Sequence, residues 1–310
     1  MLANLFGLIR LPNLLLMAFM HTIIRFGLIE PFYYRIGPKT PLSWKIFYIL
    51  SAILILIAAG GYVVNDIFDR HIDKINKPDK RIVGAKISIG LSWVIYILLN
   101  GMAMVLTWLF FNQWEYYLTH STAILLLLIY SISVKRKGLI GNVLVAILCT
   151  VVVLEVVYED LTHLWHHSQV LGNTDAILRL TIIIVYSSFA FLSTLSRELT
   201  KDLEDQKGDS EFGRRTLPVV WGVAKTKVTI IVLNVLLLAI LAYEIYLFVP
   251  YSNFVAITYI AVFLVLPMLY ICYRLAKAKE QGHYHQLSQQ WKVYMLLGIF
   301  FLMIYDLNLV

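Results

Sequence analysis

Long apolar runs separated by short polar clusters dominate the chain. Most runs approach the roughly 20 residues that an α-helix needs to cross a bilayer. The pattern predicts about nine spans. They cover residues 12–31, 44–65, 88–111, 117–134, 139–157, 177–198, 223–248, 253–274 and 291–309. The expected fold class is therefore all-α, a polytopic membrane bundle of these helices around a central cavity.

The composition supports a membrane protein. Of the 310 residues, 60% are hydrophobic and only 15% are charged, which is more apolar material than a soluble core of this size can bury. No Pro/Gly/Ser-rich linker or low-complexity tract divides the chain, so residues 1–310 are expected to form one domain. The first apolar run lacks a small-residue cleavage site and is expected to remain as a span.

The net charge of +7 could indicate a nucleic-acid partner, but the distribution of Lys and Arg indicates membrane topology instead. These residues concentrate in the polar segments after the second, fourth, sixth and eighth predicted spans. The positive-inside rule then places those segments and the N-terminus in the cytoplasm. We expect a multi-pass integral membrane protein, in the cell inner membrane if the source is a bacterium, that contacts lipids and no nucleic acid.

An acidic motif, D-x-x-D-x-x-x-D, occurs twice on the predicted cytoplasmic side. One copy follows the second predicted span and the other follows the sixth, and the residues are Asp66, Asp69, Asp73, Asp202, Asp205 and Asp209. On a helix turning about 100° per residue, positions i, i+3 and i+7 fall within roughly a 60° arc. Each trio is therefore expected to form a carboxylate stripe on one helix face. Two related halves would flank one active site facing the cytoplasm.

Crowded carboxylates at a membrane boundary indicate a bound cation, because like charges repel and desolvation penalises them. Mg²⁺ prefers oxygen ligands and usually takes one or two carboxylates together with water and phosphate. All six aspartates are predicted Mg²⁺ ligands, and Asp66, Asp69, Asp202 and Asp205 are the predicted catalytic residues. They would stabilise the charge that develops on a diphosphate as an allylic C–O bond breaks. The predicted donor is a prenyl diphosphate.

Basic and amide side chains near the motifs are predicted to bind substrate, because Lys and Arg can clamp phosphate oxygens. The candidates from the residues alone are Asn13, Lys80, Arg81, Lys135, Arg197 and Arg214. The basic members could instead serve only to fix topology. Asn13 could be a helix–helix contact.

A second polar group lies on the predicted outer side, where metal binding is the weaker interpretation. It consists of Glu159, Asp160, His163, His166 and His167. His and carboxylate side chains are common metal ligands. Because the group lies far from the aspartate motifs, a solvated loop is predicted there instead.

These motifs resemble those of the UbiA superfamily of intramembrane prenyltransferases over nearly the whole chain. The similar segments are residues 10–13 (Arg-Leu-Pro-Asn), 65–73 (N-D-x-x-D-x-x-x-D), 76–78 (Asn-Lys-Pro), 130–136 and 202–209. The resemblance implies a nine-helix bundle, Mg²⁺-dependent prenyl transfer, and substrate contacts by Asn65, Tyr130 and Lys201. Many relatives read N-x-P-x-R-P-I-P-S-G where this chain has Lys80 and Arg81, so the basic role falls to one of these two.

Three functional interpretations stay open. The second motif and residues 213–218 are similar to the digeranylgeranylglyceryl phosphate synthase branch, which implies geranylgeranyl diphosphate as donor and geranylgeranylglyceryl phosphate as the lipidic acceptor. An aromatic acceptor, as in menaquinone or ubiquinone biosynthesis, is the alternative. A divalent-cation transporter is the alternative of another class, although transporters usually bind ions near the bilayer midplane. The pattern gives neither the oligomeric state nor the prenyl chain length.

Overall fold

The computed structural model describes residues 2–37, 40–76 and 81–305, and most of these residues are helical. The α-helices are α1 (Leu2–Leu8), α2 (Leu11–Ile23), α3 (Glu30–Ile36), α4 (Trp44–Asp69), α5 (Asp73–Asn76), α6 (Ile89–Phe110), α7 (Trp114–Ile132), α8 (Leu139–Val156), α9 (Tyr158–Gln169), α10 (Thr174–Glu211), α11 (Leu217–Val220), α12 (Gly222–Phe248), α13 (Phe254–Tyr259), α14 (Leu266–Lys277) and α15 (Gln281–Ile304). Two π-helical turns, Ile24–Ile29 and Ile260–Val265, join α2 to α3 and α13 to α14. A 3₁₀ turn, Val134–Arg136, follows α7.

Within the described ranges, 8 helical segments are long and apolar enough to cross a membrane. They correspond to every predicted span except 117–134. α7 covers that position with 19 residues, but its first turns carry Glu115, Thr119 and His120, which lower its hydropathy. The all-helical, polytopic membrane fold is therefore confirmed, and the ninth span stays a prediction.

The first aspartate motif differs from the predicted helical stripe. α4 ends at Asp69, and the Nη1 of Arg70 donates to the Ile67 carbonyl oxygen at 2.9 Å. Asp73 comes after this turn, at the first residue of α5. The prediction of one carboxylate face is therefore wrong for Asp73, because α4 ends before the third aspartate.

The second aspartate motif keeps the predicted stripe, because its helix is longer than predicted. α10 runs for 38 residues, from Thr174 to Glu211, although the apolar pattern ends near residue 198. Asp202, Asp205 and Asp209 therefore lie on one unbroken helix at i, i+3 and i+7. α15 is also longer than predicted and begins at Gln281.

The chain divides into two compact units. Unit 1 consists of Met1–Phe19, Leu42–Leu144 and Asp205–Val219, and unit 2 of Met20–Pro41, Val145–Glu204 and Val220–Val310. In unit 1, α4 packs against α6 and α7, and the absence of a side chain at Gly60 makes room for Asn100. The single domain stays a prediction.

Unit 2 buries complete charged side chains. Arg25, in the first π-helical turn, places Nε 3.1 Å from Glu30 Oε1 and Nη1 3.3 Å from Asp160 Oδ2. The side chains of Arg25 and Asp160 are both 0% exposed. Arg179 is also buried, and its Nη1 donates to the Tyr305 hydroxyl at 2.7 Å. Buried charges are tolerated only when they are paired in this way.

The outer polar segment is a helix, so the predicted solvated loop is wrong there. α9 buries Asp160, Leu164 and Ser168 on one face. The ring of His163 lies 6.3 Å from that of Tyr33, and the ring of His167 contacts Phe32. The sequence pattern missed this helix because its mean hydropathy is low. Burial raises the pKa of Asp160 to about 6, against the opposing effect of Arg25.

Replacing Gly27 by alanine is expected to destabilise unit 2. A Cβ at Gly27 would clash with the carbonyl oxygen of Leu302, and backbone atoms cannot rotate away as a side chain can. We expect a loss of about 2 kcal/mol in the free energy of unfolding. The measurement is the thermal unfolding midpoint in detergent. Gly101→Ala is the control, since no atom lies within 4 Å of its Cβ position, and equal midpoints would contradict the close approach.

Candidate functional site

The end of α4 presents the polar side chains of the first motif in unit 1. Asn65 Nδ2 donates to Asp69 Oδ2 at 2.9 Å, one helical turn away. Asp66, on the adjacent face, accepts from Arg10 Nη2 at 3.0 Å. Asp66 and Asp69 are 17% and 12% exposed in their side chains, so both carboxylates are mostly withdrawn from solvent and need compensating charge.

Lys135 supplies part of that charge. The 3₁₀ turn after α7 places its Nζ 2.8 Å from Asp69 Oδ1 and 3.2 Å from Asn65 Oδ1. The side chain is only 4% exposed. Burial lowers the pKa of Lys135, and Asp69 offsets this only in part. Lys135 is therefore a desolvated cation held against the first motif.

Arg214 contacts carboxylates of both motifs. It donates through Nη2 to Asp69, and its Nη1 lies 3.5 Å from Asp209 Oδ1. A left-handed residue after α10, Gly213 with φ of 65°, reverses the chain and lets the Arg214 N–H donate to the Asp209 carbonyl at 2.8 Å. One guanidinium thus brings the first and second motifs together within unit 1.

Arg10 is a site residue that the sequence interpretation counted only as part of the entry motif of the first span. Its guanidinium lies 4.7 Å from the centroid of the Tyr62 ring, in addition to pairing with Asp66. Asn13 Nδ2 lies 3.5 Å from the Tyr62 hydroxyl. Arg10 has a φ of 53°, a conformation uncommon outside glycine. The order Arg-Leu-Pro-Asn at a span entry was the available indication.

The remaining candidates in unit 1 divide into those near the site and those without a described contact there. Tyr130 is near enough to Arg214 to raise the pKa of its guanidinium, and Asp73 acts likewise on the pKa of Lys135. Asp205 acts on Asp209 in the same way. Arg81 is not among the described contacts of Asp69 and Asp209. Lys80 lies outside the described residues.

Three predicted residues, Arg197, Lys201 and Asp202, belong to unit 2. Glu198 accepts from Arg197 Nη1 at 2.9 Å and from Lys201 Nζ at 2.8 Å. Asp202 follows on the same helix. Arg197 and Lys201 were predicted to bind substrate, and the structure pairs both side chains with Glu198. The sequence analysis did not anticipate this partner. Both pairs join residues close together on one helix.

The donor set of unit 1 fits Mg²⁺ by chemistry. Asp66, Asp69, Asp205 and Asp209 supply only oxygen ligands, which hard divalent ions prefer. Among the described residues, no group of three or more His, Cys, Asp or Glu side chains is arranged to hold a metal ion by itself. Mg²⁺ commonly needs only one or two protein carboxylates and takes water and phosphate oxygens for the rest.

Comparison with known proteins gives a family match. The profile of the UbiA prenyltransferase family matches residues 33–305. Digeranylgeranylglyceryl phosphate synthase of Methanosphaera stadtmanae is 28% identical over 253 residues, which are 81% of this chain and 84% of that enzyme. The enzyme of the same name from Saccharolobus solfataricus is 37% identical, with 62% of this chain and 63% of that enzyme covered. In the latter case the match spans less than two thirds of the relative.

Solved structures give the same fold. A digeranylgeranylglyceryl phosphate synthase structure superposes with a TM-score of 0.61 at 21% identity, covering 97% of this chain and 98% of that one. A UbiA homologue from Archaeoglobus fulgidus, bound to DMAPP and Mg²⁺, gives a TM-score of 0.57 at 16% identity, covering 96% and 99%. These similarities establish the fold of the chain. The Mg²⁺ and DMAPP belong to the homologue.

Proposed function

The chain belongs to the UbiA prenyltransferase family, and from this premise we propose that it transfers a geranylgeranyl group from geranylgeranyl diphosphate to geranylgeranylglyceryl phosphate. The names of the relatives support this donor and acceptor. The bridge from Arg214 to Asp69 and Asp209 carries the proposal. It brings both acidic motifs to one point, where a diphosphate could engage them together.

Mg²⁺ would be held by the aspartates of the two motifs, chiefly Asp66, Asp69, Asp205 and Asp209. When bound, it supplies positive charge to the oxygens of the leaving diphosphate. Lys135 and Arg214 are the cations that would bind non-bridging phosphate oxygens, Arg214 through its planar fork and Lys135 as a point charge. Asn65 and Arg10 keep the motif carboxylates oriented through the hydrogen bonds already described.

The reaction breaks the bond between C1 of the prenyl chain and the diphosphate oxygen. The bonding electrons leave with the diphosphate, and C1 becomes an allylic cation. The acceptor hydroxyl oxygen then forms a bond to C1 and loses its proton to the released diphosphate, which completes an ether. Lys135 and Arg214 lower the barrier because they sit in a desolvated site where charge interactions are strong.

The topology is part of the proposal. The segments that carry Lys135 and Arg214 are among the Lys- and Arg-rich ones, so the site would face the cytoplasm by the positive-inside rule. α7 would be the ninth span, with its polar first turns near the opposite interface. Cysteine accessibility at exposed loop positions would test this orientation.

The proposed reaction is tested with purified full-length protein, Mg²⁺ and labelled geranylgeranyl diphosphate. We expect Mg²⁺-dependent release of diphosphate together with an ether product when geranylgeranylglyceryl phosphate is the acceptor. Chelation by EDTA should stop both. Transfer to an aromatic quinone precursor instead of the glycerol phosphate would overturn the acceptor. Divalent-cation uptake into proteoliposomes without any turnover would overturn the enzyme activity itself.

A further inference from the structure

A carboxyl group is buried inside unit 2, within a helix that is long and apolar enough to span a membrane. Glu244 lies on α12, about one turn before that helix ends at Phe248, and it is 4% exposed. None of the described residues forms a salt bridge or a hydrogen bond with its side chain. A buried polar group without such a partner is costly, and an ionisable group in a membrane span usually marks a site.

A second polar residue of α12 shows the contrast. Asn234 is also buried, but Ser196 Oγ donates to its Oδ1 at 3.0 Å, and its Nδ2 lies 3.4 Å from Cys272 Sγ. The neighbouring helices of unit 2 therefore supply partners for Asn234. Among the described residues they supply none for Glu244, so a partner from outside the polypeptide is expected.

Glu244 borders a small internal cavity. The other walls are buried residues of α10, of the second π-helical turn and of α15, namely Val185, Tyr186, Phe189, Leu264, Gly298 and Phe301. A Cβ at Gly298 would overlap the Phe189 ring, so this glycine lets α15 approach α10 on one side of the cavity. Every wall residue belongs to unit 2, and the cavity is therefore a feature of that unit alone.

The size of the cavity fits one water molecule. About 10 Å³ is open to the centre of a water-sized sphere, and a single water needs roughly 10–15 Å³ by this measure. Purely apolar cavities stay dry, whereas a cavity with polar groups in its wall holds water. Glu244 offers two carboxyl oxygens here, and Tyr186 carries a hydroxyl. The volume is too small for an organic ligand.

We propose that the Glu244 carboxyl holds one water molecule in this cavity, inside the helical core of unit 2. The water supplies hydrogen bonds that the polypeptide does not give this group, which lowers the cost of burying it. The site consists only of residues of unit 2. It therefore stands whether or not the proposed reaction is correct.

Hydroxyl-radical footprinting of the full-length protein in detergent tests the site. X-ray irradiation splits water into hydroxyl radicals, which react with the nearest aromatic rings, so a bound water labels the side chains around it. Isotope-labelled water identifies the source of the added oxygen. We expect Phe301 to be hydroxylated at least about fivefold faster than Phe47, which is also buried but does not line the cavity.

Four variants locate the water. Glu244→Leu removes the carboxyl and Val185→Ile fills the cavity with one more carbon atom, and each should lower the labelling of Phe301 to the level of Phe47. Glu244→Gln keeps the capacity for hydrogen bonds and should retain the labelling of Phe301 within about twofold. Val228→Ile, at an exposed position of α12, is the matched control and should leave the labelling unchanged.

Equal labelling of Phe301 and Phe47 in the wild-type protein would show that the cavity is dry and would overturn the proposal. Unchanged labelling of Phe301 in Glu244→Leu would mean that the carboxyl does not hold the water, which overturns it as well. If Glu244→Leu does not fold, Val185→Ile decides the question. Unchanged labelling in that variant would place the water elsewhere and contradict the site.

Discussion

Replacing Asp69 by alanine is expected to lower the rate of diphosphate release by about 1,000-fold. Asp69 is the carboxylate that Asn65, Lys135 and Arg214 all contact. Its loss removes a predicted Mg²⁺ ligand and leaves two cations near each other without their shared partner. Diphosphate release from labelled geranylgeranyl diphosphate, measured at saturating Mg²⁺ and donor, reports the effect.

Two further variants make this result specific. Asp69→Asn keeps the shape of the side chain but removes its charge, and it should lose nearly as much activity as Asp69→Ala. Glu211→Ala removes an exposed carboxylate at the end of α10 and should retain wild-type activity. A rate for Asp69→Ala within tenfold of wild type would show that the diphosphate is ionised elsewhere.

Replacing Arg25 by methionine is expected to destabilise the protein by about 3–5 kcal/mol. The substitution leaves the fully buried Asp160 carboxylate without its cation, and Glu30 also loses a partner. The thermal unfolding midpoint of the full-length protein should fall by many degrees. Lys277→Met, at an exposed position, should change the free energy of unfolding by less than about 0.5 kcal/mol.

The effect of Arg25→Met should depend on pH. The pKa of Asp160 is raised to about 6 in the folded protein, from about 4 in an unfolded chain. A raised carboxyl pKa favours the folded state in acid, and this contribution is lost as the pH rises through the folded pKa. Without Arg25 that pKa rises further, so the destabilisation should be larger at pH 8 than at pH 5.

A second substitution checks the origin of this effect. Arg25→Met combined with Asp160→Leu removes both charges and should recover most of the lost stability, since a buried pair can often be replaced by apolar residues. A double variant as unstable as Arg25→Met would mean that packing around Arg25, and not the charge on Asp160, sets the cost. Tyr33 and His163 lie beside this pair in both variants.

The apolar runs were sufficient to predict most of the fold, because a bilayer demands about 20 apolar residues from each span. Helix ends were less predictable. α4 ends at Asp69, where the Arg70 side chain donates to the Ile67 carbonyl oxygen, and hydropathy carries no information on such a hydrogen bond. Conversely, α10 continues through a polar stretch to Glu211, where side-chain hydropathy falls but the helical backbone persists.

The candidate site was predictable in its carboxylates and only partly in its cations. The repeated spacing identifies the carboxylates Asp66, Asp69 and Asp209. It does not indicate that Arg214 pairs with Asp69, because the chain reversal at Gly213 brings the two together. A turn of this kind is set by tertiary packing and one left-handed residue. Arg10 was missed as a site residue for a related reason, since its contact with Asp66 joins residues far apart in the sequence.

The length of α10 has a consequence for how a lipid-like donor is handled. At about 1.5 Å per residue its helix is roughly 57 Å long, nearly twice the roughly 30 Å hydrocarbon thickness of a bilayer. If α10 crosses the bilayer along its normal, this excess would place the last turns at or beyond the lipid headgroups. An amphiphile could then bind by sideways diffusion, with its chain still dissolved in lipid. Extraction into water, at about 0.8 kcal/mol for each CH₂ exposed, would never be required.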